Sequence, residues 1–206
     1  MPSEEEMTSL LSPSVVHKLS SVVYDTDLRF RTLKTKNPKA TIARVTKMAS
    51  VGFSEVLRDS EVELSTSNLG FMTSTSGMFQ INLRSGFGFV AEGVAGRQGE
   101  LILATRGTNF EHNKFDLATD ANIGYAIGPR GNLVHRGFQK TFLGYRDQLI
   151  NFITDGGRRK HISTIHCLGH SLGGALANLN ASALRSAGYN VHLYTIGAPR
   201  VGLLSF

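Results

Sequence analysis

The chain has 206 residues, 41% of them hydrophobic and 18% charged, enough for one globular domain with a proper core. No apolar run reaches the length of a membrane span, and a single cysteine, Cys167, excludes an internal disulfide. The net charge of +6 would suit an anionic partner, but the bases are scattered and no nucleic-acid motif accompanies them.

The N-terminus, Met1-Pro2-Ser3-Glu4-Glu5-Glu6, is acidic where a secretory signal needs positive charge. That predicts a cytoplasmic protein, or one exported by a route that reads no cleavable signal. Residues 1–80 read as a largely helical lead-in. Ser12-Pro13 has the form of an N-cap with proline at the first helical position, and Leu11, Val15, Leu19, Val22 and Val23 form an apolar stripe. A second helix is expected from near Thr41, through Ile42, Val45, Met48, Ala49, Phe53, Val56 and Leu57. Residues 60–77, rich in Ser, Thr, Asn and Gly, read as loop or short strand.

From Phe79 the pattern turns to β. Phe87 to Ala91 and Leu101 to Thr105 predict successive strands joined by the turn Gly93 to Gly99. The second is continuously apolar, as in a strand buried on both faces. A helix follows Gly137, with Phe138, Phe142, Tyr145, Leu149 and Phe152 at helical spacing. Arg158-Arg159-Lys160 reads as a solvated turn. A strand over Ile162 to Leu168, a helix after it ending near Gly188, and a strand over Val191 to Ile196 complete a β-α-β unit. Cys167, inside that first strand, reads as a buried thiol. The fold expected is α/β, a mostly parallel sheet with helices on both faces and its site at the strands' C-terminal ends.

Between the strand and the helix lies Gly169-His170-Ser171-Leu172-Gly173-Gly174. A Gly-x-Ser-x-Gly at a strand-to-helix turn is a nucleophile elbow. Its glycines allow close approach of neighbouring backbone, and the turn lifts the serine hydroxyl over the sheet edge. The helix N-terminus behind it favours developing negative charge. Ser171 is thus the candidate nucleophile, and the N–H of Leu172 a candidate oxyanion donor. Arg106-Gly107-Thr108, at the end of the buried strand, offers a second donor through the N–H and hydroxyl of Thr108.

Four motifs in order, Arg106-Gly107-Thr108, Val134-His135-Arg136-Gly137-Phe138, the elbow at 169–177 and Gly197-Ala198-Pro199-Arg200-Val201-Gly202, resemble the class 3 lipases, an α/β-hydrolase family. The resemblance covers roughly the second half of the chain. It implies a serine ester hydrolase acting on glycerolipid or phospholipid at a membrane or lipid surface, without a cofactor. It gives Thr108 the role of oxyanion donor and Asp120 that of orienting the Thr108 hydroxyl. Asp116 and Asp120 equally fit surface carboxylates at a helix start. The segment Asn109 to Thr119 falls where these lipases carry a lid. His135 and His170 match positions that support the site by packing or hydrogen bonding, and Pro199 and Arg200 a turn.

The triad in this fold runs Ser, then Asp, then His. After Ser171 the sequence has no Asp or Glu, and its one later histidine, His192, stands near the start of a strand, at the wrong end of the sheet. The sequence therefore reads as an incomplete α/β-hydrolase domain over residues 1–206, with its triad acid and base expected beyond Phe206. Val191 to Ile196 would be an edge strand needing the remaining C-terminal segment, an inhibitor or immunity protein, or self-association to cover it. A catalytically incomplete interaction module and a different acyl enzyme on the same fold are the alternatives. No His/Asp cluster at ligand spacing argues for a metal.

Overall fold

The computed structural model describes residues 10–24, 53–55, 72–76, 83–93, 97–107, 124–154 and 161–203. Three helices and eight strands occur there: α1 (Pro13–Val22), β1 (Phe53–Glu55), β2 (Met72–Ser76), β3 (Leu83–Gly93), β4 (Glu100–Thr105), β5 (Tyr125–Ile127), β6 (Leu133–His135), α2 (Arg136–Thr154), β7 (Thr164–His170), α3 (Leu172–Ser186) and β8 (Val191–Ile196). Six strands form one sheet along β1-β3-β4-β7-β8, with β2 also paired to β3. The sheet is mixed. Its site-bearing half, β4-β7-β8, is parallel, and β1, β2 and β3 pair antiparallel. A separate antiparallel pair, β5-β6, precedes α2.

The two faces of the sheet follow from the two-residue period of a strand. In β4, Leu101 and Leu103 join the core formed with α2 and α3, whereas Ile102 and Ala104 join the core formed with α1. In β7, Ile165 and Cys167 turn to the first core and Leu168 to the second. Both strands are buried along nearly their whole length because both faces are covered. Cys167 is fully buried, as expected.

Helix α1 starts as predicted. Ser12 caps it through a hydrogen bond from the Val15 N–H, and Pro13 occupies its first turn. Of the expected stripe, the Val22 side chain lies outside the described residues and Val15 is only partly buried. Leu11, Leu19 and Val23, completed by Val16 rather than Val15, are buried against Phe89, Ile102 and Leu168. Each such side chain contributes about 1.5–3 kcal/mol. Helix α2 buries Phe138, Phe142, Tyr145, Leu149 and Phe152 against α3 and the opposite face.

One expected element differs. Phe53 does not continue a helix from Thr41; Phe53–Glu55 is a strand registered against Ala91 to Gly93 of β3. Pairing to a long neighbouring strand overrides the local helical spacing. β2, in contrast, falls within residues 60–77, where the sequence predicts loop or short strand. The rest of the expected second helix lies outside the described residues, as does Arg158-Arg159-Lys160.

At the far side of the sheet, β8 has only one described strand neighbour, β7. Leu193 and Ile196 on it are exposed.

Candidate active site

Strand β7 ends at His170, and α3 begins at Leu172, leaving Ser171 alone to turn the chain. Ser171 has φ 54° and ψ −130°, and it is the only non-glycine residue with positive φ among those described. An L-residue occupies that region at a cost of roughly 1–3 kcal/mol and persists there only where its surroundings hold it. Here they do. The Ser171 N–H donates to the Ile196 carbonyl at 2.8 Å, and the Ser171 carbonyl accepts from the N–H groups of Gly174 (2.8 Å) and Ala175 (3.3 Å). Although Ser171 occupies the N-cap position of α3, its side chain makes no capping bond, which leaves the hydroxyl uncommitted to the helix.

The glycines around it permit the turn by absence of a side chain. A Cβ on Gly169 would fall on the carbonyl of Gly173, and one on Gly173 would fall on the Thr105 carbonyl. The first turn of α3 therefore sits directly on the end of β4. The buried Thr105 hydroxyl joins these pieces, lying 2.6 Å from the Gly173 carbonyl and 3.1 Å from that of Leu168.

The chain leaving β4 is held as closely. Arg106 is fully buried and donates to the Gly107 carbonyl at 2.8 Å. A Cβ on Gly107 would come within 2.7 Å of the His170 carbonyl and 2.5 Å of the Tyr24 hydroxyl. Tyr24, just beyond α1, places that hydroxyl 2.7 Å from His170 Nδ1. Three separate parts of the chain thus converge on the residues either side of Ser171.

Of the sequence-predicted residues, Ser171, Leu172 and His170 come together at this turn. Thr108, Asp116, Asp120 and the segment 109–119 lie outside the described residues. His135 accepts from the Gly137 N–H at 3.2 Å and packs on Phe138. His192 is indeed at the other end: it is registered against His166 and stacks on that ring at 5.5 Å. Sequence reasoning missed Tyr24 and Thr105. A polar residue closing a continuous apolar run was the available signal for Thr105, whereas a lone tyrosine past a helix end carries none.

A second polar cluster occupies that other end of the strands. His166 Nε2 lies 2.8 Å from a Glu100 carboxylate oxygen that also pairs with Arg97 at 2.8 Å. On its other side, His166 Nδ1 lies 3.3 Å from the Tyr194 hydroxyl, which accepts from the Leu11 N–H at 3.1 Å. Burial lowers the His166 pKa to about 4, against the opposing pull of Glu100. The cluster is remote from Ser171 and ties the start of the N-terminal segment to β4, β7 and β8.

The sequence model of the family described as Lipase (class 3) matches residues 102–206, half of the chain. The chain belongs to the class 3 lipase family. Among solved structures, it resembles the Rhizomucor miehei triacylglyceride lipase (TM-score 0.57, 20% identity, 100% of this chain and 66% of that one). It also resembles the mono- and diacylglycerol lipase of Aspergillus oryzae (TM-score 0.55, 20% identity, 98% and 64%). These likenesses give the α/β-hydrolase fold. A stretch of 79 residues is 42% identical to Toxin TseL of Vibrio cholerae serotype O1, covering 37% of this chain and 12% of that protein. The chain thus spans less than two thirds of the length of each of these relatives.

Proposed function

We propose that this class 3 lipase chain carries the nucleophile of a serine ester hydrolase acting on glycerolipid or phospholipid at a lipid surface. The observation that carries the reading is the backbone of Ser171, a strained non-glycine turn between a buried parallel strand and the N-terminus of a buried helix.

In the proposed mechanism, Ser171 Oγ attacks the acyl carbonyl as a base takes its proton. The oxyanion accepts from the N–H of Leu172, directly at the start of α3, and from the N–H and hydroxyl of Thr108, which Asp120 orients. Donors aimed at that charge are worth about 2.7–4 kcal/mol each in related sites. The base returns the proton to the leaving alkoxide, the alcohol departs, and an acyl-enzyme remains. Water activated by the same base then releases the fatty acid and restores the serine. Tyr24 and His170 act as positioning residues, holding the two sides of the oxyanion site against each other.

The base and its acid are assigned to chain beyond Phe206. No Asp or Glu follows Ser171 in the 206 residues, and His192 is stacked at the far end of the strands. On this reading the 206-residue chain alone presents the serine without a proton acceptor. The same observation favours a second reading, in which the fragment acts as an interaction module that engages an inhibitor protein. Resemblance to a protein named as a toxin supports a toxin-like effector with such an inhibitor as its partner. Hydrolysis of long-chain acyl esters and phospholipids by the chain extended with its downstream residues, lost in Ser171→Ala, tests the first reading. Tight inhibitor binding without any hydrolysis would favour the second.

A further inference from the structure

Strands β5 and β6 are joined by a turn in which the Gly128 N–H donates to the Asn132 carbonyl at 2.7 Å and the Gly131 N–H to the Gly128 carbonyl at 3.1 Å. The pair buries Val134 in the main core. Because strand side chains alternate, its other face carries Ile127 and Leu133 as direct cross-strand partners, with Tyr125 two residues earlier on the same face. These three large side chains are exposed, Ile127 by 69%. The chain after β8 adds a fourth: the Leu203 N–H donates to the Leu133 carbonyl at 3.2 Å, and Leu203 is exposed too.

The surroundings of this apolar face are cationic. Arg130 lies in the turn, Arg136 and Lys140 in the first turns of α2, and Arg200 just before Gly202, which bridges to Val134; all four are exposed. Residues 121–146 contain no Asp or Glu, and none occurs after Asp155. Among the described residues no carboxylate pairs with these four cations. The face is also near the nucleophile. Ile196 accepts from the Ser171 N–H, and Gly202, paired to β6, is six residues on, which bounds the separation along the chain at about 22 Å.

We propose that Tyr125, Ile127, Leu133 and Leu203, rimmed by Arg130 and Arg136, form the face by which the protein docks on an anionic phospholipid surface. Aliphatic side chains enter the acyl boundary, the tyrosine stays at headgroup depth with its polar tip in water, and the cations meet the phosphates. A soluble acidic partner would match the rim, yet it would leave the strongly exposed Ile127 and its apolar neighbours without an apolar counterpart. The lipid character of the partner rests on the lipase reading; the face itself does not involve Ser171.

Co-sedimentation of the 206-residue protein with vesicles tests this. Expected is at least tenfold stronger binding to phosphatidylglycerol–phosphatidylcholine vesicles than to phosphatidylcholine alone, weakening as salt rises. Arg130→Glu with Arg136→Glu should lower anionic-vesicle binding tenfold or more. Ile127→Ser with Leu133→Ser should lower it comparably, with an unchanged circular dichroism spectrum. Ser171→Ala should bind as the parent does, which separates failure of the docking face from failure of the hydrolase reading. Equal binding to both vesicle types, no binding, or both double variants binding like the parent would overturn the proposal. Retention on polyglutamate-coated beads without vesicle binding would also overturn it, assigning the face to a protein partner.

Discussion

The hydroxyl of Tyr24 lies 2.7 Å from Nδ1 of His170, so the end of the first helix is fastened to the residue immediately before Ser171. The same oxygen stands against Gly107 at the exit of β4. The N-terminal helix is therefore part of the site's framework.

Tyr24→Phe removes that hydrogen bond and keeps the ring. The expected loss is about 0.5–1.5 kcal/mol, read as a lower urea midpoint with an unchanged slope. His170→Phe should cost a similar amount, and the double variant less than the sum, because the two residues share one interaction. Strict additivity would show that Tyr24 and His170 are not coupled in folding.

Gly173→Ala forces a methyl group onto the Thr105 carbonyl, a backbone atom that cannot rotate away. Overpacking of this kind costs about 3 kcal/mol, the upper end of its usual range. Gly188 is the comparison. It has φ +88° with open space around it, so Gly188→Ala meets strain alone, roughly 1–2 kcal/mol. Thermal unfolding of the two variants should rank Gly173→Ala well below Gly188→Ala, and the reverse order would contradict the close seating of α3 on β4.

The burial of His166, against the opposing pull of Glu100, makes stability depend on pH. His166 titrates near 4 in the folded protein and near 6.5 when unfolded, so between those values the unfolded chain binds the extra proton. Stability falls as pH drops through that window, by up to roughly 3 kcal/mol from this group. In His166→Gln the contribution is absent. The stability advantage of the parent over this variant should therefore shrink between pH 7.5 and pH 4, measured by urea unfolding. A constant or growing advantage would contradict the burial of neutral His166.

Cys167 is fully buried, and burial pushes its thiol pKa up, so the reactive thiolate is scarce. Dithionitrobenzoate should leave the folded protein unmodified for hours and react at once in denaturant. Rapid reaction of the folded protein would mean that β7 is not packed between its two helical layers.

Much of this architecture can be read from residue order because the relevant signals are local. The Ser12-Pro13 cap, the all-apolar Leu101 to Thr105 and the glycines around Ser171 each announce their conformation within a few residues. Phe53 shows the opposite case. Its helical spacing from Thr41 is real, but its partner strand lies beyond residue 90, and only the assembled sheet reveals the pairing. The Tyr24–His170 and Glu100–His166 contacts span 146 and 66 residues and follow from helix docking and strand register, which no spacing rule encodes. The three-residue strands β5 and β6 are too short for periodicity, although the Gly128-Pro129-Arg130-Gly131 turn between them is a usable sign.

Whether Ser171 is the nucleophile is tested most directly by fluorophosphonate treatment followed by peptide mass spectrometry. The protein is taken both as the 206-residue chain and with the residues encoded after Phe206. An adduct is expected on Ser171 in the longer protein, none in its Ser171→Ala variant, and little or none in the 206-residue chain. Absence of the Ser171 adduct from the longer protein would contradict the nucleophile assignment. Strong labelling of the 206-residue chain would contradict the assignment of base and acid to the residues beyond it.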